Sequence, residues 1–392
     1  MSYRKLKADY LFDGYQIRPP NSVLICGQDG SIVNIVDEGQ AGSGVEGFTG
    51  MIAPGFINCH CHLELSHLKG LITEKQGLVN FVLSVMSQRF QPSASKAEAI
   101  LEAEREMKET GIVAVGDISN TSDAAFVKKA KHIDYYHFIE LLGWSPEMAG
   151  SRFEAGKKLA EEFIAFGYDE KHISLVPHAP YSVSAELWDL MKTGFRGKTV
   201  TIHNQESFAE NEFFSAGNGD LNRLYRELKM NNSHFKVPGS RSLPYYLSKL
   251  SGAERILLVH NTFMDESDLI EACQFSDKLF LCLCPNANLY IENRLPDIPL
   301  FLKHTDRIVL GTDSLASNHQ LSILEEMKSI KKIYPDVLSA DMLVWATSNG
   351  AKALSFDSRL GDFTKGKNPG VVLIENLDGA EVCTGSTSRR LV

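Results

Sequence analysis

The stretch Pro54-Gly55-Phe56-Ile57-Asn58-Cys59-His60-Cys61-His62 decides how this chain is read. An apolar run ends abruptly in two histidines separated by one residue. In an extended chain, residues i and i+2 point to the same face. His60 and His62 therefore converge on one metal ion, while Cys59 and Cys61 face away. Taken alone the pair is weak, because two exposed loop histidines have the same spacing. Its weight comes from later segments, which bring further candidate ligands to the ends of apolar runs.

Eight such runs follow one another, at residues 51–58, 111–118, 133–141, 173–178, 199–203, 255–260, 279–284 and 307–313. Amphipathic helical patterns lie between several of them, including ASKAEAILEAEREMKETG, which stops at Gly111, and SILEEMKSIKKIY. Strands alternating with helices predict an α/β fold whose parallel sheet is covered on its faces. Eight repeats predict a closed, TIM-like (β/α)8 barrel, with an open doubly wound sheet as the alternative. The polar residues favour the barrel. His60, His62, Asp117, Glu140, His178, His203, His260 and Asp313 all stand at or just past the carboxyl ends of the runs. In a barrel those ends share one mouth, where active sites sit. In an open sheet the first and last runs lie too far apart to share an ion.

With 392 residues, 43% of them hydrophobic and 23% charged, the chain can bury a large core. A net charge of −9 argues against nucleic acid or an anionic membrane as partner. No stretch approaches the roughly 18 apolar residues that span a bilayer, and the basic amino-terminal segment lacks the apolar core of a signal peptide. Seven cysteines without ribbon or secreted-scaffold spacing fit reduced thiols in the cytoplasm.

The flanks read differently from the middle. Residues 1–50 and 357–392 carry β-type alternation, including SVLICGQDGSIVNIVDEG with a hairpin-like turn. They are expected to pair into a small β-sandwich domain, with the barrel of residues 51–356 inserted between them. Residues 208–252 form a long charged and aromatic excursion after the fifth run, suited to a lid or to a homo-oligomer contact.

Three imidazoles and one carboxylate, from His60, His62, His203 and Asp313, suit one divalent ion such as zinc and leave a position for water. The ion would bring the pKa of that water towards neutrality. Asp313 could also accept the water's proton. Glu206, three residues after His203, could shuttle a proton to a ring nitrogen of a substrate. His260 exceeds a tetrahedral ligand set. It could complete a five-coordinate site, or hydrogen-bond the attacking water and the oxygen that develops charge. His178, between two prolines, is a candidate substrate contact. His319 and Arg89 are weaker candidates, Arg89 for a substrate carboxylate. Asp117 and Glu140 are either pocket residues or buried hydrogen-bonding groups.

Together these motifs resemble the amidohydrolase superfamily, in its chlorohydrolase and aminohydrolase branch of metal-dependent deaminases. PGFINCHCHLE resembles the first-strand signature of that branch, HNQES the fifth-strand His-x-x-Glu, LVHN the sixth-strand histidine and LGTDS the eighth-strand Thr-Asp. The likeness covers nearly the whole chain. It departs at Gly370, where aspartate is common, and at Cys284-Pro285-Asn286-Ala287-Asn288, where many relatives have Cys-Pro-x-Ser-Asn. The resemblance implies metal ligation by His60, His62, His203 and Asp313. It also implies action on water and substrate by Glu206, His260 and Asp313, and a substrate contact at His178. No lysine ends the fourth run, so the implied site is mononuclear, with zinc, iron(II) or manganese(II). The implied activity is hydrolytic deamination of an aminated purine-like or other N-heterocycle. Cyclic amide hydrolysis, dehalogenation and a non-catalytic metal-binding homologue are the alternatives.

Overall fold

A computed structural model describes residues 3–89 and 95–392. Its centre is the ring of strands that the apolar runs predict. They are β1 (Phe56–Cys61), β2 (Ile112–Ser119), β3 (Asp134–Leu141), β4 (Ile173–Pro177), β5 (Thr199–Asn204), β6 (Arg255–His260), β7 (Leu279–Leu283) and β8 (Ile308–Leu310). Successive strands pair in parallel from β1 to β4 and again from β5 to β8. Two joints close the ring. The His203 amide donates to the His178 carbonyl at 2.9 Å, joining β5 to the end of β4. Opposite, the Thr312 and Asp313 amides both donate to the His60 carbonyl at 3.0 Å, joining the end of β8 to β1. Gly311 permits that approach, since a Cβ there would lie 2.8 Å from the His60 Cβ.

The first run corrects the sequence reading, because residues 51–58 are two strands rather than one. Met51–Pro54 leaves the barrel and pairs antiparallel with Val371–Glu375, and β1 begins only at Phe56. The break falls where Pro54 lacks an amide donor and Gly55 packs where a Cβ would meet the Pro369 carbonyl at 2.6 Å. Val371–Glu375 and Met51–Pro54 lie in one four-stranded sheet with Tyr10–Leu11 and Thr387–Arg390, so both ends of the chain meet there. A second four-stranded sheet contains the hairpin of Ser22–Gly27 and Ile32–Asp37.

Helix Lys96–Glu109 matches the predicted amphipathic pattern, whose first residue, Ala94, lies outside the described residues. The excursion after β5 folds into helices Phe208–Ala216, Leu221–Glu227 and Ser242–Tyr246. Phe213 and Tyr225 of this segment pack with Trp144 after β3, Tyr181 after β4, Tyr290 after β7 and Leu78 after β1. All of these follow carboxyl ends of barrel strands, so the cluster roofs the mouth. Among the described residues, no helix is long and apolar enough to cross a membrane.

Strand parity also places Asp117. It sits opposite His137 in the β2–β3 register, and both point outward, away from the mouth. There the Lys128 Nζ lies 2.6 Å from Asp117 Oδ2, with both side chains fully buried. Asp117 Oδ1 accepts the amide of Leu63 at 2.9 Å, directly after His62. Asp117 is thus a buried hydrogen-bonding group and not a pocket residue. Replacing only Lys128 leaves an unpaired buried carboxylate. Lys128→Met is expected to lower unfolding stability by about 3–5 kcal/mol, measured by chemical denaturation at neutral pH.

Candidate metal centre

The barrel mouth gathers side chains from strands distant in sequence. His60 and His62 project from the end of β1 with their Nε2 atoms 3.2 Å apart. Asp313 Oδ1 lies 3.6 Å from His60 Nε2 and 3.4 Å from His62 Nε2. His203 joins them from β5, and the ligand nitrogens of the three histidines all fall within 4.8 Å of one another. Tetrahedral nitrogen ligands about 2.0–2.1 Å from zinc are separated by roughly 3.3 Å. The spacing therefore fits an ion, and the cluster has the donor set of a metal centre.

The opposite edges of the rings are anchored. His203 Nδ1 lies 2.7 Å from the His178 carbonyl, which can only accept, so this nitrogen carries the proton and leaves Nε2 for an ion. Glu140, His178 and His203 also have metal-binding spacing. However, Glu140 Oε1 is 3.7 Å from the same, already committed Nδ1. His178 Nδ1 pairs with the Ser182 hydroxyl at 2.8 Å. On the other side, His260 Nδ1 pairs with Asn288 Oδ1 at 2.8 Å. Its buried Nε2 has no hydrogen-bond partner and lies 3.6 Å from Glu206 Oε1. The Ser317 hydroxyl donates to Asp313 Oδ2 at 2.6 Å, turning Oδ1 towards the histidines.

Electrostatics separates the protonation states. Burial holds His62 and His203 well below the ordinary histidine range, and it pushes His178 down to about 3. Neutral imidazole is the form that coordinates a metal. Burial also acts on the carboxyls, but with different outcomes. Glu206 is driven well above its usual range by burial and by the neighbouring charge of Asp313. Burial would raise Asp313 too, yet its contacts with His60, His62 and His260 prevail and hold it below the usual range. Glu140 is lifted to about 7, chiefly by burial.

Backbone strain concentrates in the same place. Gln205, His260, Asn261 and Asp313 adopt φ values of 45°, 73°, 58° and 56°, the left-handed region that non-glycine residues seldom occupy. Each stands where a strand ends and a site residue must be turned into the mouth.

The structure thus brings together His60, His62, His178, His203, Glu206, His260 and Asp313. His319 does not join them. Its side chain is 75% exposed and lies beside Glu74 at 3.4 Å, because the loop after Asp313 carries it out past the roof. Arg89 lies at the rim, where its guanidinium donates to Glu64 at 2.9 Å and to Asn120 at 3.1 Å. Asn120 in turn donates to Glu140 at 3.0 Å. Sequence reasoning missed Asn288 and Ser317, which orient His260 and Asp313. Two signals pointed near them, the Cys284–Asn288 segment compared with the relatives' Cys-Pro-x-Ser-Asn and the proximity of Ser317 to Asp313, but neither gave the contact itself.

Comparison with known proteins identifies the family and the fold. The sequence profile of the amidohydrolase family matches residues 51–385. The aminodeoxyfutalosine deaminase of Nitratiruptor sp. is 24% identical over 347 residues, covering 84% of this chain and 80% of that protein. The aminodeoxyfutalosine deaminase of Deinococcus radiodurans is 27% identical over 367 residues, with coverage of 89% and 85%. The crystal structure of Helicobacter pylori aminofutalosine deaminase with methylthio-coformycin superposes with a TM-score of 0.82 at 22% identity, covering 96% and 93% of the two chains.

Metal analysis of the purified protein is expected to find about one divalent ion per chain. His203→Ala should lower that affinity at least about tenfold, and a chelator should lower the melting temperature until zinc is restored.

Proposed function

This chain belongs to the amidohydrolase family, and on that footing we propose that it is a metal-dependent hydrolase that releases ammonia from an aminated purine-like heterocycle. One observation carries the reading. A buried histidine cluster and the Asp313 carboxyl, whose proton affinity is pushed down, face a second carboxyl, Glu206, whose proton affinity burial and the charge of Asp313 push up. Hydrolytic deamination needs both states at once, a base for the water and an acid for the ring.

His60, His62, His203 and Asp313 would hold the ion. Their mixture of imidazole and carboxylate suits zinc, with iron(II) or manganese(II) as alternatives. When bound, the ion supplies a water acidified towards neutral pH. The side chains perform the remaining steps. Asp313 takes a proton from the attacking water. Glu206 protonates the ring nitrogen beside the carbon that bears the amine, making that carbon electrophilic. His260 keeps its Nδ1 proton on Asn288, so its Nε2 lone pair is free to accept from the water and aim it. The proton held by Asp313 then passes to the amine, which leaves as ammonia, while the hydroxyl proton restores Glu206 and the ring carbon becomes a carbonyl. His178, whose ring lies 4.7 Å from that of His203, would contact the substrate.

Both curated relatives are named for the deamination of aminodeoxyfutalosine, so that compound heads the substrates to test, followed by adenosine derivatives, aminopurines, pterins and aminotriazines. The free state of all seven cysteines supports a cytoplasmic setting. The test is ammonia release by the zinc-loaded protein. Glu206→Gln is expected to lower turnover by about 10²–10⁴-fold while leaving the metal bound. Substantial residual activity in that variant would remove Glu206 from the mechanism. Silence of the wild type across the panel would overturn the deaminase reading.

A further inference from the structure

Glu206 follows a residue in a conformation that needs external support. Gln205 has φ of 45° and, like Glu210, is fully buried. Its amide donates to Glu210 Oε1 at 3.0 Å. Its side-chain Nε2 donates to Asp268 Oδ2 at 2.7 Å and to Asn211 Oδ1 at 3.1 Å. Its carbonyl accepts the Phe263 amide at 2.9 Å. Asp268 is itself held by Arg241 Nη1 at 3.1 Å, and Asn211 donates to the Phe263 carbonyl at 3.2 Å. This one residue is pinned by amide, carbonyl and side chain, although it has no chemistry of its own to perform.

Glu210 is the costly member of the set. Its second oxygen, Oε2, is buried and faces the Ser242 hydroxyl, which lowers the carboxyl's proton affinity against the larger opposing effect of burial. A fully buried carboxyl is a poor way to stabilise a fold, and an apolar side chain would serve packing better. The hydrogen bond it does make goes to the peptide that leads into Glu206.

We propose that Glu210 is a positioning residue for Glu206. By accepting the Gln205 amide, it holds Gln205 in the left-handed conformation and so aims the Glu206 carboxyl at the substrate ring. This rests on the role given to Glu206 above. Glu210, Asn211 and Arg241 all belong to the excursion of residues 208–252, so the segment that roofs the mouth also sets the geometry of the proton donor.

The test compares Glu210→Leu with Glu210→Gln in the metal-loaded, full-length protein. Glu210→Leu is expected to lower kcat by about 10²-fold, the scale of a catalytic group misplaced by about an ångström. KM and metal content should stay within about twofold, because neither substrate affinity nor the ligand set is touched. Glu210→Gln, whose amide oxygen still accepts the Gln205 amide, should recover most of the loss. If Glu210→Leu does not fold, Gln205→Leu removes the bonds to Asp268 and Asn211 and should show the same selective loss of kcat. Crystal structures of the variants should show Gln205 relaxed from positive φ and the Glu206 carboxyl drawn away from His260. Full kcat per metal-loaded site with only a lower melting temperature would overturn the proposal. So would Glu210→Gln being as impaired as Glu210→Leu, or an undisplaced Glu206. A silent wild type would instead reject the deaminase reading, and the position of Glu206 in the variant structures would then decide the positioning role by itself.

Discussion

The carbonyl oxygen of His60 accepts two amides, those of Thr312 and Asp313, each at 3.0 Å. Through this shared acceptor the end of the eighth strand is laid against the first. The eighth strand is short, only Ile308–Leu310, and Gly311 brings the backbone nearer to His60 than any side chain would allow. Asp313 then turns on a left-handed φ and presents one oxygen to both histidines. Were this joint open, the aspartate would share no ion with His60 and His62, and the mouth would have no closed rim.

Once the ring is closed, burial dictates the chemistry. Imidazoles deprived of water lose their protons, and carboxyls deprived of water gain them, unless a neighbour pays the cost of the charge. Asp313 has such neighbours in the His60 ring, which hydrogen-bonds it, and in the Ser317 hydroxyl, which donates to Oδ2. Glu206 has the opposite, a like charge across the site. The proton affinities of two carboxyls in one dry space are therefore pushed in opposite directions, the separation an acid–base pair requires. The outer shell fixes the orientation. The His178 carbonyl, Asn288 and Ser317 each hold the far side of a site residue, so each ring or carboxylate meets the mouth with a defined atom.

Strand-to-mouth geometry was legible wherever parity and position along a run were enough. His60 and His62 share a face because they are two residues apart on a strand. His203, His260 and Asp313 reach the same mouth because parallel strands in a barrel end together. Position along a run left Asp117 open between pocket and buried hydrogen-bonding group, and the structure decides for the second, because its side chain faces the helices and pairs with Lys128. His319 failed for another reason, since a loop residue has no periodicity to place it. Asn288 and Ser317 act through contacts with residues tens of positions away or around a turn, and the local sequence, even in the Cys284–Asn288 segment, does not say which atom each one holds.

The sequence by itself determined the alternation of strand and helix, the parallel barrel, and which histidines and carboxylates could meet, because each depends on hydrophobic periodicity and the two-residue repeat of a strand. Tertiary structure alone decided which nitrogen of each ring faces the cluster, which way the proton affinity of each carboxyl is pushed, and how the excursion after the fifth strand closes over the mouth and grips Gln205. Those outcomes depend on burial and on partners brought together only when the ring closes, and neither is a local property of the chain.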